Sequence, residues 1–387
     1  MVHRHLSKYL ILLLAFIGCV EPFTPLTSNY QDLLVVEAFI TDQPSSHLIK
    51  LSRSFPINSG KNISEPGASV MLSSSNGQLH VFDESEPGLY LAGSGFIPKV
   101  GETYMLSVVT RDGTSFTSKP VVMKETPPIN DIFYERKSRP SEEKGLEEGY
   151  QIYVNSKPNF DEKIYMKYEW DETWEFATPF ESFLDYNFET NTAFLRDENI
   201  SVCWQNDESF AIIVATNEGS ISESIDGQPI RFVSFRKPAM RIKYSILVKQ
   251  FALNEESFRF WENLKESNES TGSLYDTQPF QVRSNIENDL DKNTPVLGYF
   301  DMATESSKRI FITKDDLPPE ISIPTYYPQC LSGADTAVSA RDVPDFLRQG
   351  YLIETTIPPP LGGFTIVVQR CIDCRFRGSN KKPEFWE

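Results

Sequence analysis

Histidine is nearly missing from this chain: there are four in 387 residues, and His3 and His5 sit within the first five positions. The other two, His47 and His80, have no His, Cys or acid at ligand spacing. A two-histidine metal helix and a His–Cys nucleophile pair are both therefore without support. The Gly-x-Ser-x-Gly elbow of hydrolases is absent, as are the two glycine-rich phosphate loops. Asp289-Leu290-Asp291-Lys292-Asn293 imitates the start of a calcium loop. Thr294 stands where that loop needs its glycine and Phe300 where it needs a bidentate Glu, so a polar turn is expected. No catalytic residue, metal site or cofactor is assigned. Basic charge is also scarce, with 37 Lys and Arg against 54 Asp and Glu and a net charge of −17. Such a body repels phosphate backbones, which argues against nucleic acid as a partner. It would not adhere to an anionic bilayer without an anchor. Nowhere is there an apolar run of the roughly 20 residues that a spanning helix needs.

The sequence does carry a short apolar run at its start. Arg4 and Lys8 precede Tyr9–Ile17, and the run stops at Gly18-Cys19. This reads as a lipoprotein signal peptide over residues 1–18, with Phe16 where Leu is usual. Cleavage before Cys19 and lipidation of its thiol are expected, leaving a body anchored to a membrane rather than spanning it. Removing 1–18 takes away two bases and no acid, so the net charge moves from −17 to −19. Four cysteines remain: Cys203, Cys330, Cys371 and Cys374. An even number in an exported chain reads as disulfides, with three pairings open. Cys371-Ile372-Asp373-Cys374 lacks the second close pair of a zinc ribbon, and it follows a strand near the end instead of opening a helix.

Hydrophobic residues make up 40% and aromatics 12%, enough for packed cores and too much for a disordered chain. The length suits two domains. A Pro-stiffened tether covers 19–27. Short β runs follow, with hairpin signals at Asn76-Gly77 and Asp112-Gly113. About seven such strands predict an immunoglobulin-like β-sandwich over 28–123. Pro127-Pro128 marks the boundary. A larger β-rich domain is expected over 129–387, and its charged stretch Arg136–Gly149 reads as a solvated loop. One helix stands out near 254–267, with Asn254 as cap, Glu255 and Glu256 in the first turn, and Phe258, Trp261 and Leu264 on one stripe. Pro295–Phe300 and Arg309–Ile312 read as a strand pair. The aromatics Trp170, Trp174, Phe176 and Phe180 suit a core or domain interface, with a ligand-stacking surface as the sharper alternative.

Several of these segments together resemble one family. Cys19–Phe23 resembles its lipobox exit, and Leu34–Asp42 with Ile49–Arg53 its first strand pair. Phe260-Trp261, Gly272–Asp276, Asn285-Ile286 and Gly298–Phe300 resemble its central block. Cys330, Cys371, Cys374, Gly378 and Lys382–Trp386 resemble its C-terminal signature. The chain is similar to the Bacteroidota lipoproteins of domain of unknown function 4249. That resemblance implies an outer-membrane lipoprotein, often encoded beside a TonB-dependent transporter, and implies no enzymatic role. Only Glu21 supplies an acid directly after Cys19, so the periplasmic face and the cell surface both stay open. The expectation is a binding or interaction module held in outer-membrane lipid through Cys19, an accessory to a TonB-dependent transporter or another outer-membrane protein. Two alternatives are a carboxylate-based hydrolase of glycan or peptide, and a structural envelope-assembly or adhesion component.

Overall fold

A computed structural model describes residues 31–44, 47–55, 63–141, 145–157, 163–219, 224–269, 282–330 and 335–386. The leader, Cys19, the tether and Gly272–Asp276 lie outside the described residues. The protein is mainly β, as its short alternating runs require. The first nine strands are β1 (Leu34–Ile40), β2 (Leu48–Arg53), β3 (Ile63–Ser64), β4 (Ser69–Ser74), β5 (Leu79–Glu86), β6 (Leu89–Ala92), β7 (Thr103–Val109), β8 (Ser115–Ser118) and β9 (Val121–Val122). Both glycine-marked hairpins form, β4–β5 around Gly77 and β7–β8 around Gly113, each glycine at positive φ. Alternation then puts Val36, Ile49, Leu51, Leu72, Leu106 and Val108 in one core.

The next strands are β10 (Ile129–Pro140), β11 (Leu146–Ser156), β12 (Tyr165–Ala177), β13 (Leu184–Asn187), β14 (Thr192–Leu195), β15 (Val202–Glu208), β16 (Ile213–Thr216), β17 (Ile225–Ser234) and β18 (Lys243–Ala252). Helix α1 (Glu255–Glu269) follows, with Asn254 Oδ1 accepting from Ser257 N at 2.8 Å, as a cap should. The remainder is β19 (Ile286–Asn288), β20 (Leu297–Met302), β21 (Glu305–Thr313), β22 (Asp335–Val338), the short helix α2 (Val343–Arg348), β23 (Tyr351–Thr356) and β24 (Phe364–Val368).

Sheet topology does not follow the chain in one pass. The first sheet runs β19-β8-β7-β4-β5-β6-β2-β1-β20, with β3 on β2 and β9 on β7. Two of its strands therefore come from beyond α1, and the second region does not run unbroken from 129 to 387. β20 adds to β1 in parallel, Val36 opposite Gly298 and Ala38 opposite Phe300. Just past β20, Ala303 bridges Lys124, just past β9, so the sheet path folds back around its core. The expected pairing of Pro295–Phe300 with Arg309–Ile312 is corrected: β21 pairs with β18 in another sheet. Ala303 and Thr304 carry the chain from one unit to the other.

The larger unit packs the sheet β10-β11-β17 against β15-β12-β18-β21, with β16 on β12. Ile152, Val154, Tyr168, Trp170, Trp174, Ile246 and Val248 fill the space between them. The charged stretch Arg136–Gly149 is not a loop, apart from 142–144, which lie outside the described residues. It lengthens the β10–β11 hairpin, because opposite charges meet across it: Arg139 faces Glu147 in register, and Arg136 Nη2 reaches Glu148 at 2.9 Å. A small lobe combines the β13–β14 hairpin, the sheet β22-β24-β23 and α2 around Tyr186, Val343, Ile353 and Ile366.

The units meet at an aromatic clamp. Phe39 of β1 packs edge-on to Phe251 of β18 at 5.0 Å. The buried Lys167 ammonium lies 4.6 Å from the Phe39 ring and 4.8 Å from the Trp261 ring, and its charge is paired with Glu169. At the crossover Thr126 donates twice to Thr304, from N to Oγ1 at 2.8 Å and from Oγ1 to the carbonyl oxygen at 2.6 Å.

Candidate functional site

Side chains on β12, β15, β18 and β21 alternate between the core and an outer face. Register places Glu208, Asp171, Leu247 and Arg309 in one row across the outer face, and Asn206, Thr173, Ser245 and Phe311 in the next. Over this face runs the C-terminal tail. Its path starts at the β15 edge, where Trp204 and Ser379 exchange backbone hydrogen bonds of 2.8 and 2.9 Å. It ends with Trp386, whose Nε1 donates to Glu175 at 3.0 Å and whose ring meets Phe311 at 5.6 Å. The preceding Phe385 lies beneath the Arg309 guanidinium, 3.5 Å from carbon to ring centroid.

Phe385 of the tail and the outer face of the sheet border an open cleft of about 570 Å³, lined also by Asp171, Asn206, Glu208, Lys249 and Arg309, with exposed Phe210 beside them. That volume suits a small ligand. Lys249 is committed, its ammonium 2.6 Å from Asp171. Arg309 is not: its one side-chain hydrogen bond goes to Ser245 Oγ at 2.9 Å, and it pairs with no carboxylate among the described residues. Burial pulls its pKa below the usual guanidinium value. A larger hollow, about 660 Å³, lies at the start of α1. Two of its three cations are matched, Lys119 by Glu256 at 2.7 Å and Arg259 by Glu218 at 2.7 Å, while Arg283 lies exposed on its rim. The outer-face cleft is the stronger candidate, since its unpaired cation is half-buried and held in place by Phe385 and Ser245, whereas Arg283 is exposed.

The expected cysteines hold this arrangement. Cys203 bonds Cys374 and Cys330 bonds Cys371, which decides among the three pairings. Because Cys203 directly precedes Trp204, the first bridge fixes where the tail crosses the sheet. The aromatic-surface alternative is corrected. Trp170, Trp174 and Phe176 are buried between the two sheets, and Phe180 packs against the same core. Their spacing of two on an inward face explains it, and Trp174 Nε1 is satisfied by the Tyr326 hydroxyl at 2.7 Å. His47 and His80 both pack against Phe96. At 288–294 the chain makes a polar turn, with Asn288 and Asp291 accepting from nearby backbone N–H groups. Cys19 lies outside the described residues.

A different kind of surface occurs on the β13–β14 hairpin. Phe183 is 61% exposed, Phe194 48% and Leu195 74%, within one short element of the small lobe. By register Phe183 and Phe194 share one face of the hairpin and Leu195 lies on the other, so large apolar side chains are exposed on both of its faces.

The profile of one family, a domain of unknown function (DUF4249), matches residues 20–309. The chain belongs to the DUF4249 family. The DUF4249 match takes in the whole first sheet, the aromatic clamp and α1, and it ends at Arg309. The tail that borders the cleft thus lies past the matched residues. No curated protein matches the chain. Arg309 and Phe385 were not legible as a site in the sequence, because they are far apart, and although Phe385 lies in the C-terminal signature nothing there points to Arg309. The row of alternating polar residues on β12 and β18 was the available signal.

Proposed function

We propose that this DUF4249 protein is an outer-membrane lipoprotein, held by lipid on Cys19, that works as an interaction module beside a TonB-dependent transporter. The apolar leader ending at Gly18-Cys19 supports the anchor, and the family resemblance supports the setting. The observation that carries the interaction is the exposed apolar surface of the β13–β14 hairpin, Phe183, Phe194 and Leu195. Its occupant is the periplasmic or extracellular rim of a transporter barrel. Anchoring both proteins in one membrane raises their effective concentration, so a surface of this modest size suffices.

Affinity purification from detergent-solubilised membranes tests the proposal. Wild type should bring down a TonB-dependent barrel identified by mass spectrometry. Phe183→Ser/Phe194→Ser/Leu195→Ser should lose it while keeping the wild-type melting temperature. Wild-type protein recovered without a barrel, or an unmodified Cys19 in the native protein, overturns it.

A further inference from the structure

The geometry points to the outer-face cleft as a binding site for a small sugar acid, a ligand with one carboxylate and several hydroxyl groups. Three observations lead there. The first is the half-buried Arg309 guanidinium. It is stacked on Phe385 and aimed by Ser245, with no carboxylate partner among the described residues. A planar cation presented this way is built to take a carboxylate through two parallel hydrogen bonds. The stacking on Phe385 fixes its plane before any ligand arrives.

The second observation concerns the opposite side. In the same cross-strand row stand Asp171 and Glu208, two and three strands away, with Asn206 in the neighbouring row. Adjacent strands lie about 4.8 Å apart, so the backbones of these residues are about 10–15 Å from that of Arg309, with the Asp171 charge near enough to act on the guanidinium. That distance is the length of one or two sugar rings. The third observation decides between donors. Of the four lining acids, Asp171 is neutralised by Lys249 at 2.6 Å, Glu172 by Arg231 at 2.7 Å, and Asp207 lies 3.8 Å from Arg231, which leaves Glu208 alone without a cation among the described residues. Partly compensated acids hold an ammonium weakly but accept hydroxyl hydrogen bonds well, as does the Asn206 amide. The ligand's cationic end is thus disfavoured and its hydroxyl-rich end favoured. Phe385 on one wall and Phe210 nearby offer apolar area to ring C–H groups.

This site lies on a different element from the docking hairpin, and its test is separate. Full-length protein purified in detergent is titrated calorimetrically with lactobionate, which has one carboxylate, with its neutral counterpart lactitol, and with the dipeptide Glu-Glu. Lactobionate should bind at least tenfold more tightly than lactitol, and also more tightly than Glu-Glu. Arg309→Gln should weaken lactobionate at least tenfold, and Arg309→Lys by less. Asn206→Ala should weaken both sugars alike. The comparison of acid with neutral sugar uses wild type alone, so it stands even if a variant fails to fold. Equal binding of the two sugars, no binding of lactobionate, tighter binding of Glu-Glu, or an Arg309→Gln protein that binds as wild type would each overturn the assignment.

Discussion

Arg231 of β17 and Glu172 of β12 form a two-pronged ion pair, Nε to Oε2 at 3.0 Å and Nη2 to Oε1 at 2.7 Å, that joins the two sheets of the larger unit. The Tyr244 hydroxyl donates to the same Oε2 at 2.6 Å, and the guanidinium lies 4.2 Å over Trp170. Glu172 is almost wholly buried, at 4% side-chain exposure. Burial and the neighbouring Glu172 charge push the Tyr244 hydroxyl well above its usual pKa, so it remains a donor. Removing one partner leaves the other charge uncompensated. Glu172→Leu should therefore cost about 3–5 kcal/mol, and Tyr244→Phe about 1–2 kcal/mol. Replacing both ions, Arg231→Met with Glu172→Leu, should recover most of that loss. Urea midpoints for the three variants check the order.

Asp301 gives the stability a specific pH dependence. It lies wholly buried on β20, taking hydrogen bonds from the Ser257 hydroxyl of α1 and, at 2.9 Å, from Met302 N. Burial pushes its pKa up to about 6, although Ser257, Met302, Lys167 and Lys124 all favour the ionised form. The native state therefore binds this proton more tightly than the unfolded chain does. Its contribution is fully present below the unfolded value near 4 and is lost as pH rises through about 6. The difference corresponds to about 3 kcal/mol. Asp301→Asn should remove this slope: relative to wild type, the variant gains stability between pH 4 and 6 and holds that gain at pH 7. Denaturant midpoints of both proteins across that range check it. Parallel curves would sink the prediction.

What was legible in the sequence was local. Gly77 and Gly113 mark real turns, because only a glycine-type backbone closes those hairpins. Asn254 caps α1 because its side chain needs no distant partner. Four cysteines read as disulfides from parity alone, but the pairing depends on how the tail crosses β15, and no spacing encodes that. The charged run 136–149 misled because charge density reads as solvation, whereas cross-strand pairing of Arg139 with Glu147 makes the same residues a hairpin. The β1–β20 pairing was invisible for another reason: parallel partners 262 residues apart, such as Val35 and Leu297, share no local signal. The cleft suffers likewise, since its rows exist only once β12, β15, β18 and β21 are in register.

The disulfides should matter most for the tail. Cys371 and Cys374 bond different partners, so the segment between them is held from two sides. There the Asp373 carboxylate is buried and takes two hydrogen bonds from the Arg375 guanidinium, at 3.0 and 2.8 Å, and one from Arg375 N at 3.0 Å. Cross-linking limits the unfolded chain more as the closed loop lengthens. Separations of 171 and 41 residues correspond to roughly 5 and roughly 4 kcal/mol in a chain-entropy account. Cys203→Ser with Cys374→Ser should lower stability by an amount of that order. It should also loosen the tail, with faster tryptic cleavage after Arg377 and Lys381 and a shift in Trp386 emission. Cys330→Ser with Cys371→Ser should destabilise while disturbing the Trp386 environment less.

Gly298 and Gly77 share a backbone angle, φ +85°, and differ in everything around them. At Gly77, in the tip of the β4–β5 hairpin, an added Cβ meets nothing within 4 Å. Gly77→Ala should cost only the left-handed backbone penalty, about 1–2 kcal/mol. At Gly298 the same Cβ would stand 1.9 Å from the Val36 carbonyl oxygen and 2.7 Å from its carbon. Val36 is the register partner across the parallel β1–β20 pair, so the clash cannot be relieved by turning a side chain; the strands must part. Phe300, two residues on, would then lose its place in the first core, and Asn285, which brackets its backbone at 2.8 and 3.0 Å, would lose its partner. Gly298→Ala should therefore cost more than about 3 kcal/mol. Amide exchange should show the loss concentrated in β1, β19 and β20, with β10–β11 protected as in wild type. If Gly298→Ala were no worse than Gly77→Ala, the strand that closes the first sheet would not be β20.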